Sequence, residues 1–189
     1  MAEAEVDYLD KTSRAIDVKF RIDKNLEEKF IKQNKLPEHS KVFAVIWTTT
    51  PWTIPGNQAV CLNKDIEYSL VEVAKNEIYI IASELVKACF DRWSLEDFEI
   101  IKKMKGNDLD GLHFIHPLYS RTSPLLFSEH VTTDTGTGCV HSAPAHGPED
   151  FETCSENGIE LKNPISSNGC FKDDVKPVSY THLRAHETS

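Results

Sequence analysis

Ile16, Val18, Phe20 and Ile22 alternate with Asp17, Lys19 and Arg21, the period-2 pattern of a strand with one buried face. Leu26, Phe30 and Ile31 then recur at helical spacing and the pattern stops before Pro37, which predicts a helix over residues 26–35. Residues 41–47 (KVFAVIW) are β-branched and aromatic and read as a buried strand. Further strands are expected at Ala59–Leu62, 66–73 and Glu77–Ala82, with Lys75 and Asn76 as a hairpin turn. Ser83 is a candidate N-cap for a helix through Trp93, with Leu85, Val86, Cys89 and Phe90 on its apolar side. Residues 98–104 read as a strand, 111–127 as loop with short extended pieces, and 137–141 as a short strand. A helix over 148–157 closes on Gly158. Strands interrupted by isolated helices, without regular βαβ alternation, predict an α+β domain built round an antiparallel sheet or barrel.

Composition narrows the class. The 189 residues, 40% apolar and 27% charged, suit one globular domain. The expected organisation is a lead-in strand segment over 1–22, a domain over 23–177 and a foreign or frayed tail over 178–189 (VSYTHLRAHETS). Five scattered cysteines without a CxxC pair read as reduced thiols. No apolar run approaches the roughly 18 residues of a membrane span, and the acidic start lacks the pattern of a signal peptide. The expectation is a soluble, cytoplasmic protein with no membrane partner. The formal charge of -9 argues against attachment to nucleic acid or anionic lipid through a basic field of its own.

Two segments carry chemistry. In Trp47 to Asn57 (WTTTPWTIPGN), three threonines leave a buried strand and meet Pro51, which cannot donate to a ladder. Thr48, Thr49 and Thr50 therefore stand at a strand end, where hydroxyls and freed amides can face a cleft. Pro51, Pro55 and Gly56 stiffen the loop that holds Asn57. The same residues also fit a plain strand end with a stiff turn, but the flanking tryptophans, Trp47 and Trp52, favour a presented site.

In Asp134 to Asp150 (DTGTGCVHSAPAHGPED), Gly136 and Gly138 permit close backbone approach or positive φ. A short strand delivers His141, and Glu149 and Asp150 open the next helix, where its dipole stabilises a carboxylate. Asp150 as a helix-start charge and His141 as a structural histidine remain the plainer readings of each residue alone. Cys139, His141, His146 and Asp150 match no common zinc spacing, and the pair His113 and His116 is no stronger. The single Asp-Thr-Gly lacks the second aspartate that aspartic-protease chemistry needs. Phosphate loops, nucleophile elbows and dinucleotide fingerprints do not occur. No metal is expected.

Together WTTTPWTIPGN and GTGCVHSAPAHGPEDF, with the N-terminal AEAEVDYLDKTSRAIDVKF, resemble the editing (CP1) domain of isoleucyl-tRNA synthetases over residues 1–176. Thr50 and Trp52 stand where the valyl and leucyl branches usually carry an arginine and an acidic residue, which points to the isoleucyl branch. The resemblance implies a β-rich, barrel-like α+β domain with a few short helices. The implied activity is hydrolysis of valine wrongly esterified to the isoleucine tRNA. It further implies that Asp150 pairs with the valyl ammonium, and that Thr48, Thr49 and Thr50 with nearby amides bind the terminal adenosine, position water and stabilise the oxyanion. His141 would border the side-chain pocket. Trp52, Asn57, Gly136 and Gly138 complete the expected substrate contacts.

The implied partners are the 3′ aminoacyl-adenosine end of tRNA(Ile) and the rest of a synthetase. Editing would need no cofactor. The chain has no HIGH or KMSKS sequence, so ATP would belong only to a catalytic domain absent from it. A binding module without turnover and a freestanding hydrolase are the alternatives.

Overall fold

A computed structural model describes residues 14–74, 76–173 and 175. The chain forms β1 (Ile16–Ile22), α1 (Lys24–Asn34), β2 (Lys41–Thr48), β3 (Ala59–Leu62), β4 (Glu67–Ala74) and β5 (Glu77–Ala82). After α2 (Val86–Trp93) come β6 (Glu99–Lys105), β7 (His113–Ile115), β8 (Thr122–Phe127), β9 (Val140–Ser142) and α3 (Pro148–Glu156). Asp23 caps α1 by accepting from the Asn25 amide at 2.9 Å, and Lys35 ends the helix at φ 54. The α+β class, the dominance of strands and the few short helices are as expected.

The strands lie in one nine-stranded sheet in the order β6-β4-β5-β2-β1-β7-β8-β3-β9. β2 and β5 pair in parallel, as do β3 and β8, and the other pairs are antiparallel, so the sheet is mixed. Phe20, Ile22, Val42, Ile46, Leu70, Ile80, Phe90 and Phe114 fill the main core, which α1 and α2 cover. A smaller cluster of Ala59, Cys61, Leu126, Val131 and Cys154 lies under α3. Glu27 pins α1 to the sheet: its carboxylate takes Arg21 Nη2 at 2.7 Å and the Val42 amide at 2.9 Å.

Several expectations need correction. The sheet does not close into a barrel, because β6 and β9 each have one hydrogen-bonded neighbour. Lys102 and Lys103 stand exposed on β6, a charged strand that deters further pairing. β9 has three residues and runs into Pro144, which has no amide hydrogen to donate.

Residues 111–127 contain β7 and β8 and are not mostly loop. Pro124 is accommodated opposite His113 because the next amide, Leu125 N–H, reaches Leu112 O at 2.8 Å. Ser83 does not cap α2. It starts a 3-10 turn over Ser83–Leu85, and its hydroxyl bonds Ser69 Oγ at 2.8 Å. Asn76 turns at φ 67, as the hairpin requires, while its neighbour Lys75 lies outside the described residues. So do residues 1–13 and the 178–189 tail. Among the described residues no helix is long and apolar enough to cross a membrane.

One topological fact positions the site. The threonine-rich loop feeds directly into β3, and β3 pairs with β9 so that Val60 stands opposite His141. The two informative segments are thereby drawn to the same end of the sheet.

Candidate functional site

Pro51 stops the β2 ladder, and Pro51–Gly56 coil into a 3-10 turn with a proline at its first position. The turn folds the threonines onto each other. Thr48 is buried, and its hydroxyl accepts the Thr50 amide at 3.0 Å and contacts Thr50 Oγ1 at 3.2 Å. Thr50 Oγ1 lies 3.4 Å from Thr53 Oγ1, and Thr53 Oγ1 lies 2.9 Å from His141 Nε2. A line of hydroxyls thus runs from exposed Thr50 to a buried imidazole. Thr49 is also exposed, and Trp52 is half-buried.

Hydrogen bonding assigns the imidazole tautomer. Thr53 Oγ1 donates to Thr50 O at 2.8 Å, so it accepts from His141 Nε2–H. His141 Nδ1 is then a bare acceptor, buried and without a partner among the described residues. Burial lowers the His141 pKa to about 4, against the opposing pull of Asp150, with nearby His146 lowering it further. His141 is therefore neutral near pH 7.

Asp150 stands in the first turn of α3, whose Pro148 occupies the first helical position. Its Oδ2 accepts the Ala143 amide at 2.9 Å, two residues past His141. This bond clamps the start of α3 to the exit of β9 and sets the carboxylate beside the imidazole. His146 closes the same turn, its amide reaching Ala143 O at 2.8 Å, and its Nε2 is buried without a partner among the described residues. A Cβ on Gly56 would come within 3.1 Å of the His146 ring, so glycine there lets the two segments touch.

Thr48, Thr50, His141 and Asp150 are brought together, and Thr49 and Trp52 belong to the same loop. Three other expected residues play a different part. Asn57 is fully buried: its Nδ2 donates to Ala59 O at 2.7 Å and its Oδ1 accepts from Ser123 Oγ at 2.6 Å. It fixes the loop to β3 and β8 with both ends of its amide committed inside the protein.

Gly136 and Gly138 do take positive φ, 82 and 75, but both face protein. A Cβ on Gly138 would lie 2.3 Å from Ala82 Cβ, and one on Gly136 would meet Trp47 at 3.4 Å. Their carbonyls accept from Tyr68 and Cys89. These glycines let the chain pass against β5 and shape the approach to β9. Sequence reasoning missed Thr53 as the link to His141, and weighed His146 only as a metal ligand. The spacing of Thr53 from Thr50, one 3-10 turn, was the available signal.

The zinc reading finds no geometry. Cys139 Sγ turns into the core towards Ile80 O, and no group of three or more metal-binding side chains occurs among the described residues. Burial pushes the Cys61 thiol up to about 12, and the Cys139 thiol is raised as well. Neither is a reactive thiolate. What remains is a neutral imidazole, a row of hydroxyls and a carboxylate at a helix start. A carboxylate of this kind can pair with a cationic group, and hydroxyls so placed can hydrogen-bond water.

Comparison with known proteins follows the same line. Residues 18–183 match the family described as leucyl-tRNA synthetase, editing domain. The chain is 43% identical over 187 residues to the isoleucine–tRNA ligase of Colwellia psychrerythraea, covering 97% of this chain and 20% of that protein. It is 48% identical over 177 residues to that of Lawsonia intracellularis, covering 93% and 18%. It thus spans about a fifth of the length of the curated relatives it matches. The fold is similar to the crystal structure of GlLeuRS-CP1, with TM-score 0.65 at 19% identity over 80% of this chain and 70% of that one. It is also similar to the P. knowlesi cytosolic leucyl-tRNA synthetase editing domain, with TM-score 0.60 at 15% identity over 77% and 65%. The chain belongs to the editing-domain family of the aminoacyl-tRNA synthetases.

Proposed function

We propose that this domain hydrolyses valine wrongly esterified to tRNA(Ile), working within a larger isoleucine–tRNA ligase. The observation that carries the proposal is the joining of the threonine loop to the His141–Asp150 wall through the Thr53–His141 bond, supported by identity to isoleucine–tRNA ligases. Valine and isoleucine differ by one methylene, too little for one pocket to separate them, and the isoleucyl enzymes are the standing illustration of a second, smaller editing site.

In this reading Asp150 pairs with the valyl ammonium through the carboxylate that Ala143 holds in place. Neutral His141 forms a rigid wall of the side-chain pocket, its ring locked by Thr53. The Thr49 and Thr50 hydroxyls bind the terminal adenosine and orient a water towards the ester carbonyl. The water oxygen bonds to the carbonyl carbon, the bond from that carbon to the ribose oxygen breaks, and valine leaves with the tRNA hydroxyl restored. At a pKa of about 4, His141 is a weak base, so the proton from the water is carried through solvent, or relayed by the neighbouring ribose hydroxyl, to the departing ribose oxygen. The reaction as proposed draws on no metal, ATP or other cofactor. The 3′ aminoacyl-adenosine end is the part of the tRNA that enters, and the rest of the synthetase delivers it.

The test is hydrolysis of pre-charged Val-tRNA(Ile) by the full-length ligase carrying this domain. Release of valine well above the spontaneous rate supports the reading. Binding of a stable valyl-adenosine analogue without turnover would reduce the domain to a binding module.

A further inference from the structure

Pro55 and Gly56, at the end of the turn that builds the site, also line a cavity of about 430 Å³. Arg121, Lys162 and Lys172 line it with them, and Tyr119 forms part of the wall. The chain carries nine net negative charges, yet none of these three cations is ion-paired with a carboxylate among the described residues. Arg121 is fixed. Its Nη2 donates to Pro55 O at 2.9 Å and its guanidinium lies over the Tyr119 ring at 5.3 Å. Its Nε is buried and has no hydrogen-bond partner among the described residues. Burial lowers its pKa, the mark of a cation held without a compensating anion. Lys162 and Lys172 are exposed at the rim.

A guanidinium that no carboxylate neutralises, backed by two ammonium groups, is a donor set for an oxyanion with several acceptor oxygens. Gly56 stands between this cavity and the candidate site: it lines the cavity, and a Cβ added to it would meet both the His146 ring at 3.1 Å and Pro164 Cγ at 3.2 Å. We propose that the cavity holds a backbone phosphodiester of the RNA strand whose terminal ribose enters the cleft, with Arg121 as the fixed ligand and Lys162 and Lys172 as rim charges. The proposal rests on the editing reading. It places phosphate recognition on an otherwise acidic domain, at the loop that carries the threonines.

The experiment follows the Arg121 Nε–H resonance of the whole chain by NMR. The probes are a short oligoribonucleotide ending in adenosine, adenosine alone, and inorganic phosphate. The RNA is expected to shift the Arg121 resonance, and adenosine to leave it in place. Lys162→Gln with Lys172→Gln should weaken RNA binding roughly tenfold at unchanged Tm. The same pair should reduce the slope of log affinity against log salt by about 0.7 for each phosphate no longer neutralised. An unmoved Arg121 resonance, or unchanged RNA affinity in the double variant, overturns the proposal. So does inorganic phosphate moving the resonance as far as RNA does at equal concentration. Deacylation without an Arg121 shift removes this site and leaves the editing reading intact. An Arg121 shift without deacylation removes the editing reading and leaves an RNA-binding cavity.

Discussion

Thr53 Oγ1 and His141 Nε2 meet at 2.9 Å across 88 residues of sequence, and this bond joins the threonine loop to the strand that leads to Asp150. Thr53→Val keeps the shape and removes the hydroxyl, leaving His141 Nε2–H without its partner, while Thr50 O keeps the Thr53 amide at 3.0 Å. The expected loss is about 1–3 kcal/mol. In a domain of this size that is a fall in Tm of roughly 2–4 °C per kcal/mol by calorimetry. An unchanged Tm would mean the bond does not hold the two segments together.

Asp150 has two duties that substitution can separate. Its Oδ2 accepts the Ala143 amide, and its charge is assigned to the substrate ammonium. Asp150→Asn keeps an acceptor for Ala143 but carries no charge, so the fold should persist while kcat/KM for Val-tRNA(Ile) falls at least about 100-fold, the scale of losing a buried ion-pair partner. Asp150→Ala should lose activity and some stability together. Wild-type deacylation by Asp150→Asn would show the carboxylate to be only a helix-start residue.

His141 is expected to set the size of the pocket. His141→Ala should allow cleavage of cognate Ile-tRNA(Ile) by the full-length ligase while Val-tRNA(Ile) cleavage continues. Full survival of the cognate ester, as with wild type, would leave His141 a structural residue.

Acid should weaken the domain through two histidines. His141 and His116 both have pKa values lowered to about 4, chiefly by burial. His116 Nδ1 also accepts the Leu118 amide, a bond that only the neutral ring can keep. The unfolded chain, with histidines near pKa 6.5, binds more protons between pH 6.5 and 4, so stability is fully present above that window and lost as pH falls through it. Each histidine contributes up to about 3 kcal/mol over this range. Denaturant melts at pH 7 and pH 4.5 measure the difference. A His116→Gln, His141→Gln double variant should show a flatter profile, and an identical profile would assign the acid sensitivity elsewhere.

Gly138 offers a packing test. At φ 75, with a Cβ placed 2.3 Å from Ala82 Cβ, Gly138→Ala combines backbone strain with a clash. The expected destabilisation is about 3 kcal/mol or more. Adding Ala82→Gly should relieve the clash but not the strain, giving partial rescue in the same melt. No destabilisation would place the glycine's value elsewhere than in this contact.

Much of this was legible from residue order because the cues were local. The alternation from Ile16 to Ile22, the run KVFAVIW and the carboxylate at the start of α3 need only neighbouring residues to be read. The rest depends on contacts between distant segments. Whether the sheet closes is decided by the edges of β6 and β9, which no single strand pattern contains. Asn57 sits in a motif that invites a functional reading, yet Ser123 and Ala59 O consume its amide. Gly138 announces a close approach without saying that Ala82 is what approaches. Thr53 gains its meaning from the β3–β9 pairing, which brings His141 to it.

The central claim is selective ester hydrolysis by this domain, and its most direct measurement is single-turnover deacylation of Val-tRNA(Ile) and Ile-tRNA(Ile) by the full-length ligase, wild type beside Asp150→Asn. Valine should be released quickly by wild type and slowly by the variant, with the isoleucyl ester spared by both. Equal rates for the two esters, or a variant as fast as wild type, would contradict the account.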